Sequence, residues 1–393
     1  MWIKREIEDV LRQIATKRPS LILTGARQAG KTSLLKRVFP EHNYVTLDIP
    51  LNAQEAEESG ETFLKKYPPP LIVDEVQYAP KLLRYIKTAI DQNREASGRF
   101  LITGSQKFSL MQGVTESLAG RTAILQCHSL SAREYQNWTG KPLERDSLLE
   151  FILKGGYPEL HAKSLSPESF YSDYLATYLE RDVTQALQVR SLRDFDRFLR
   201  LAASRTAQLL NINSLATDVG VSPNTIKSWL SILEASNVIY FLEPYYQNLG
   251  KRIVKSPKLY FLDTGFCCFL VGIRQAKDFH SNALLGSLFE THVLGQIIRH
   301  FANRGVQPPL YFYRDHYGHE VDFMIPVGNA FRLIECKWSE NPSLEVRGFQ
   351  EILKIVGPER VLSQSIVNQI PGTRKTQAGI TVEDSVHLEN STG

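Results

Sequence analysis

The segment Leu21-Ile22-Leu23-Thr24-Gly25-Ala26-Arg27-Gln28-Ala29-Gly30-Lys31-Thr32 constrains the fold of this chain more than any other. An apolar, strand-forming run enters Gly-x-x-x-x-Gly-Lys-Thr, and Ser33 to Phe39 continues as helix. Glycines at both ends let the backbone curl until its N–H groups face a phosphate at the positive end of a helix. The spacing therefore predicts a nucleoside triphosphate, with ATP and Mg²⁺ as ligands. The phosphate-binding set is Gly25, Ala26, Arg27, Gln28, Ala29, Gly30, Lys31, Thr32 and Ser33. Lys31 is expected to reach the β- and γ-phosphates, and the Thr32 hydroxyl to ligate Mg²⁺.

A second element supports this reading. After Pro68-Pro69-Pro70, Leu71-Ile72-Val73 runs apolar into Asp74-Glu75, as in a central parallel strand whose carboxyl end carries the chemistry. Asp74 is expected to hold hydrated Mg²⁺ and Glu75 to polarise the attacking water. Strands at Leu21 to Thr24, Tyr44 to Asp48, Leu71 to Asp74, Phe100 to Thr103 and Ile124 to Leu125, with helices such as Lys81 to Gln92 between them, predict an α/β fold. Its parallel sheet is covered on both faces. Thr103 or Ser105 at one strand end could sense the γ-phosphate. Arg121, and after it Arg181, are the candidates for an arginine that a neighbouring subunit contributes to phosphoryl transfer.

At 393 residues the chain exceeds one ordinary core, so several domains are expected. With 42% hydrophobic and 22% charged residues it reads as globular, and a formal charge of +4 argues only weakly for a polyanionic partner. Nucleic acid has to be argued from local sites. No run approaches the roughly 18 apolar residues that span a bilayer, and the first residues lack the apolar stretch of a signal peptide, so a cytoplasmic protein is expected. The four cysteines (Cys127, Cys267, Cys268, Cys336) have no zinc or disulfide spacing, and Cys267 and Cys268 read as buried thiols.

The predicted organisation is a P-loop domain over 1–165, a helical connector over 166–192, a winged helix-turn-helix over 193–265 and a nuclease-like α/β domain over 266–393. In the connector, Ser166-Pro167 starts a helix whose Phe170, Tyr174 and Tyr178 form a packing stripe. In the third unit, Asp194 to Leu210 reads as one helix, Ile212 to Val221 as a short helix and turn, and Ser222 as the cap of the next helix. Two strands follow, Val238 to Leu242 and Lys258 to Leu262, joined by a basic loop. Asn224, Thr225, Lys227 and Ser228 would face a major groove, and Lys251, Arg252, Lys255 and Lys258 would contact phosphates.

Near the C-terminus, a helix over Leu284 to His300 carries Glu290. Hairpin signals follow, with Glu320 to Ile325 and Phe331 to Trp338 around a Gly328-Asn329 turn. Alternation places Glu335 and Lys337 on one face, within reach of Asp322 on the paired strand. Glu290, Asp322 and Glu335, with the Cys336 carbonyl, suit a hard divalent cation, Mg²⁺ or Mn²⁺, and Lys337 would orient or deprotonate the attacking water. His316 and His319 read as loop histidines. Beyond Val356 the sequence turns polar, and Glu389 to Gly393 is expected to fray.

These strings, with Gly156-Tyr157-Pro158, Tyr178-Leu179-Glu180-Arg181-Asp182-Val183 and Leu259-Tyr260-Phe261-Leu262-Asp263-Thr264-Gly265, resemble a group of bacterial and archaeal AAA-type ATPases. Members of that group carry a C-terminal domain similar to PD-(D/E)xK nucleases. The resemblance implies an ATPase module, a winged helix, a nuclease-like fold and ATP sites within a homo-oligomer. The expected function is ATP turnover coupled to binding, remodelling or cation-dependent cleavage of DNA, branched DNA among the candidate substrates. The alternatives are a DNA translocase or branch-migration motor whose nuclease fold does not cut, and a nucleotide-controlled interaction switch.

Overall fold

A computed structural model describes residues 2–104, 118–179, 191–245 and 255–392. Ser105, Arg181, Lys251 and Arg252, and the side chain of Tyr178, lie outside the described residues.

Five short strands form the first sheet: β1 (Ser20–Thr24), β2 (Asn43–Thr46), β3 (Leu71–Asp74), β4 (Phe100–Gly104) and β5 (Thr122–Gln126). They are parallel throughout in the order β2-β3-β4-β1-β5, so β4 lies between the strand that leads into the phosphate loop and the strand that ends in Asp74. Because β1, β3 and β4 are buried on both sides, their sequences are continuous apolar runs rather than alternating ones. One face packs Val45, Phe63, Leu82 and Ile86; the other packs Ile7, Leu11, Leu34 and Leu35.

The segment before the first helix is tied to the sheet by an ion pair that the sequence does not advertise. Arg5 is 4% exposed; its Nε lies 3.0 Å from Glu134 Oε1, its Nη1 donates to the Ala29 carbonyl (3.1 Å) and its Nη2 to the His128 carbonyl (2.7 Å). Glu134 also completes the capping box of the helix Ala132–Thr139. Replacing Arg5 with alanine would bury an unpaired carboxylate, and a loss of about 3–5 kcal/mol in a urea unfolding curve is expected.

The second unit is helical. Arg145–Lys154, Pro158–Ala162 and Pro167–Tyr174 share one core with the helices Leu192–Ala203, Ile212–Val219 and Pro223–Ala235. Phe170 and Tyr174 stack there, as the aromatic stripe predicts, with Tyr157 between them in contact with both. The expected helix from Asp194 to Leu210 ends at Ala203; the chain then turns into β6 (Gln208–Leu209), which joins β7 (Ile239–Leu242) and β8 (Lys258–Phe261) in an antiparallel sheet ordered β6-β8-β7. Leu259, opposite Gln208 on β6 and Phe241 on β7, shows how β8 fills the centre, a pairing that helix periodicity cannot reveal.

The third unit packs the helix Leu285–Ala302 against a six-stranded sheet ordered β13-β14-β12-β11-β10-β9. Its strands are β9 (Tyr311–Arg314), β10 (Glu320–Val327), β11 (Ala330–Cys336), β12 (Val361–Asn368), β13 (Thr373–Lys375) and β14 (Thr381–Asp384). The helix Arg347–Val356 makes the crossover to the parallel strand β12. The expected polar, fraying tail is therefore overturned. Residues beyond Val356 supply half of this sheet, and the chain ends in a short helix, Glu389–Thr392, with Ser391 and Thr392 buried. Thr392 Oγ1 lies 2.9 Å from His300 Nε2, which holds that end down.

One buried carboxylate fastens the three units. Asp263 caps the helix Thr264–Leu270 and accepts from Ser129 Oγ (3.0 Å), the Gly156 N–H (2.8 Å) and the Tyr171 hydroxyl (2.7 Å). Arg299 closes the knot from the third unit, donating to Ser129 Oγ at 2.6 Å and to the Leu262 carbonyl at 2.9 Å. A Cβ on Gly155 would sit 2.0 Å from Asp263 Oδ1, so only glycine fits this close approach.

Candidate functional site: a phosphate loop and an acidic cluster

The phosphate loop follows β1. Gly25 has φ +147°, and a Cβ there would lie 2.0 Å from the Cys127 carbonyl oxygen, so the curl demands glycine. Gly30, at φ +91°, opens the helix Lys31–Val38. Lys31 is buried, and its Nζ donates to the carbonyls of Gly25 (3.0 Å) and Ala26 (2.9 Å). Burial holds its pKa below the usual lysine value, against the pull of Glu75. A cleft of about 570 Å³ runs over Arg27, Gln28, Lys31, Thr32, Ser33 and Glu75, and Pro158 and Glu159 of the second unit form its far wall.

Asp74, at the end of β3, is the acceptor around which the site is organised. Its Oδ1 takes the Thr32 hydroxyl (2.7 Å) and the Thr103 hydroxyl (2.5 Å), and its Oδ2 takes the Tyr44 hydroxyl (3.1 Å). Burial, then Asp74, pushes the Tyr44 phenol up to about 12. The Thr32 hydroxyl beside a carboxylate is an oxygen donor set that suits Mg²⁺. Thr103, one of the two candidates for sensing the γ-phosphate beside Ser105, which lies outside the described residues, is fully buried and accepts from the Glu75 N–H (3.1 Å). It therefore positions the Asp74-Glu75 pair. Glu75 itself adopts φ 56°, and its Oε2 accepts from Gln77 Nε2 at 2.5 Å.

Arg121 does not belong to this cleft. It precedes β5 at the amino end of the parallel sheet, opposite the phosphate loop, where Nε and Nη2 grip both Asp91 oxygens at 2.9 and 3.1 Å. Within its own chain Arg121 is anchored by Asp91; its expected role lies in a neighbouring subunit's site, not in this cleft.

The acidic residues of the third unit converge, with Glu320 joining the expected set. The register of β10 shifts between Val321 and Met324, both of which pack into the core on one face of the sheet. Glu320 and Asp322, two residues apart on β10, share a face and meet Glu290 on the helix Leu285–Ala302. One oxygen from each of these three residues lies within 4.8 Å of the others. Asp322 Oδ2 also accepts from the Cys336 N–H at 2.8 Å, which fixes it against β11.

Glu320 thus replaces Glu335 in the tightest set. Glu335 stands beside it, with Oε1 2.6 Å from Lys337 Nζ and Oε2 buried without a hydrogen-bond partner. Burial, then Asp322, pushes the Glu335 carboxyl up to about 8 and that of Glu290 up to about 7. A divalent cation is the natural relief for such crowding.

The residue that sequence reasoning misplaced is Lys258. Assigned to the wing as a phosphate contact, it is 2% exposed, and its Nζ sits among Glu290 (2.8 Å), Glu320 and Asp322 (3.8 Å). Burial opposes its charge, but the three acids outweigh burial and raise its pKa. Tyr260, two residues on and on the same face of β8, donates to Glu290 Oε1 at 2.5 Å. The period-two pattern of Lys258-Leu259-Tyr260 was the available signal. His319 is held by Asp315 at 2.8 Å, as a loop histidine.

Residues 17–136 match a family model described as an AAA domain, 145–277 and 285–381 match two domains of unknown function (DUF8612 and DUF4143), and among the described residues no helix is long and apolar enough to cross a membrane. A solved Walker-type ATPase, PABY2304 of Pyrococcus abyssi, superimposes with a TM-score of 0.45 at 16% identity over 68% of this chain and 96% of that one. Uncharacterized protein Rv2008c of Mycobacterium tuberculosis and uncharacterized protein Mb2031c of Mycobacterium bovis are each 30% identical over 351 residues, 87% of this chain and 75% of theirs. Residues 17–136 thus carry an AAA domain, and the chain belongs to the same family as these two mycobacterial proteins.

Proposed function

We propose that this protein is a cytoplasmic ATPase that couples nucleotide hydrolysis to engagement of DNA, and that its third unit carries a cation-dependent phosphodiester-cleaving site of PD-(D/E)xK type. The observation that carries the second half is the convergence of Glu290, Glu320 and Asp322, with Glu335 and Lys337 beside them. For the first half, Lys31 would exchange its loop carbonyls for the β- and γ-phosphate oxygens, and Glu75 would take the proton of the attacking water. Thr32 and Asp74 would hold Mg²⁺, whose charge offsets that of the phosphates.

DNA engagement rests on the order helix, strand, helix, helix, strand, strand over residues 192–261, which is that of a winged helix. Its second motif helix, Pro223–Ala235, buries Ile226, Trp229 and Leu230 and leaves Asn224, Lys227 and Ser228 exposed, the division a groove-reading helix requires. Ser222 caps that helix through the Thr225 N–H at 3.1 Å. Lys255 is exposed beside the strands and would contact phosphate. ATP sites would lie between subunits of a homo-oligomer, with Arg121, and after it Arg181, as the arginine offered in trans.

ATP hydrolysis measured with and without branched, single-stranded and duplex DNA tests the coupling. Stimulation by about tenfold or more with one of them is expected; a rate indifferent to all three would remove DNA from the account. Nicking assays with Mg²⁺ or Mn²⁺ on the same substrates test the third unit. A second reading, a translocase or nucleotide-controlled switch whose nuclease fold does not cut, is favoured by one observation: an ammonium already stands among the acids. It predicts strand displacement or slow, DNA-indifferent turnover without nicks.

A further inference from the structure

Lys258 comes from the second unit, yet its Nζ stands between the three carboxylates that could hold a cation in the third. Glu335, with 9% of its side chain exposed, adds an oxygen with no donor at the edge of the same cluster. An ammonium bound to Glu290, Glu320 and Asp322 satisfies the acids that a hard divalent ion would need as ligands, and both cannot occupy one point.

We propose that Lys258 is a built-in occupant of the acidic site, so that a divalent cation enters only when the ammonium withdraws, and the strand pair β7–β8 thereby gates the third unit. This inference rests on the reading of the acidic cluster as a cation site. The charges are consistent with an exchange. Glu290, Glu320, Asp322 and Glu335 face Lys258, Lys337 and Arg314, which lies 2.9 Å from Glu320. With all four carboxyls ionised, as a bound cation would favour, withdrawing Lys258 leaves two negative charges uncompensated, those of one divalent ion.

The attachment of the gate is also visible. Beyond β7, the Tyr245 N–H donates to the Phe312 carbonyl (2.7 Å) and the Phe312 N–H to the Glu243 carbonyl (3.1 Å), a short splice onto β9. β8 carries Lys258 and Tyr260 on one face, both bonded to Glu290. A ligand seated on the helix Pro223–Ala235 and the β7–β8 pair would act on the same strand that plugs the acids, so occupancy of one surface reports directly at the other.

The test uses the full chain without nucleotide and Mn²⁺ alone as probe, titrated by calorimetry. Lys258→Met keeps the length and apolar stem of the side chain, and Lys258→Gln keeps a donor for Glu290. Both are expected to bind Mn²⁺ at least about tenfold more tightly than the wild type, and Glu290→Gln added to Lys258→Met should erase the gain. Mn²⁺ should also raise the Tm of the Lys258 variants more than that of the wild type. Binding that Asp322→Asn abolishes, yet that is equally tight with and without Lys258, overturns the gate and leaves the cation site standing. No Asp322-dependent binding in any of these proteins overturns the cation site and the gate together. Should Lys258→Met fold only when Mn²⁺ is supplied, the exchange is supported; should neither variant fold with or without Mn²⁺, Lys258 is a structural tie and the gate is refuted.

Discussion

Replacing Lys31 with alanine is expected to lower ATP hydrolysis by about two to three orders of magnitude while leaving the chain folded. Lys31 Nζ bonds only the Gly25 and Ala26 carbonyls, and no carboxylate makes a salt bridge to it among the described residues. Its removal therefore breaks no direct ion pair, and Asp74, which attracts it through space, keeps its three hydroxyl donors, in contrast with Arg5, whose loss would leave Glu134 unpaired. What the variant loses is the cation that follows charge onto the γ-phosphate oxygens during transfer. Phosphate release at saturating ATP, paired with a thermal melt, checks both halves of the expectation. Wild-type turnover in Lys31→Ala would place the nucleotide chemistry elsewhere in the chain.

Asp322→Ala is expected to abolish cation-dependent nicking, a loss of about a hundredfold or more, with ATP hydrolysis unchanged. Asp322 accepts from the Cys336 N–H and faces Glu290 and Lys258, and none of the hydrogen bonds that build the Asp74 centre involves it. Asp322→Asn separates charge from shape, since the amide oxygen can still accept from Cys336 while a ligating negative charge is gone. Gel assays on supercoiled and branched DNA read the cleavage, and the same preparations report ATPase activity. Nicking by Asp322→Asn at the wild-type rate would remove this residue from any cutting site; a parallel fall in both activities would show instead that the two units depend on each other's integrity.

Local patterns made the first unit legible. The phosphate loop and the buried strand ending in Asp74 write their function into a dozen contiguous residues, and all five strands of the sheet fall where apolar runs stand between helices. Thr103 was misread because a strand-end hydroxyl looks the same whether it faces a ligand or a neighbouring strand; only the order β3-β4-β1 shows that it must meet Asp74.

In the third unit, the hairpin and its turn were plain from alternation, and the same alternation puts Glu320 on the face of Asp322. A carboxylate at the start of a strand reads equally as a solvated end, and only the placement of Glu290 beside it shows that it joins the set. For Lys258 the alternation with Leu259 and Tyr260 marks a strand face but not its partner, since 32 residues separate it from Glu290 and a lysine among basic neighbours reads as solvated. The tail misled because Val361–Asn368 carries serine and glutamine on a strand that nonetheless pairs with β11 and β14.

The position of Lys258 has a practical corollary for anyone dissecting this protein into pieces. A recombinant fragment cut to the segment 285–381 would retain Glu290, Glu320, Asp322 and Glu335 but forfeit the ammonium they surround, along with most of β14 and the short closing helix. Its self-repelling acids would favour whatever cation the buffer happens to contain, so metal affinity measured on such a truncation would describe the severed piece, and an intact preparation is the one to compare against.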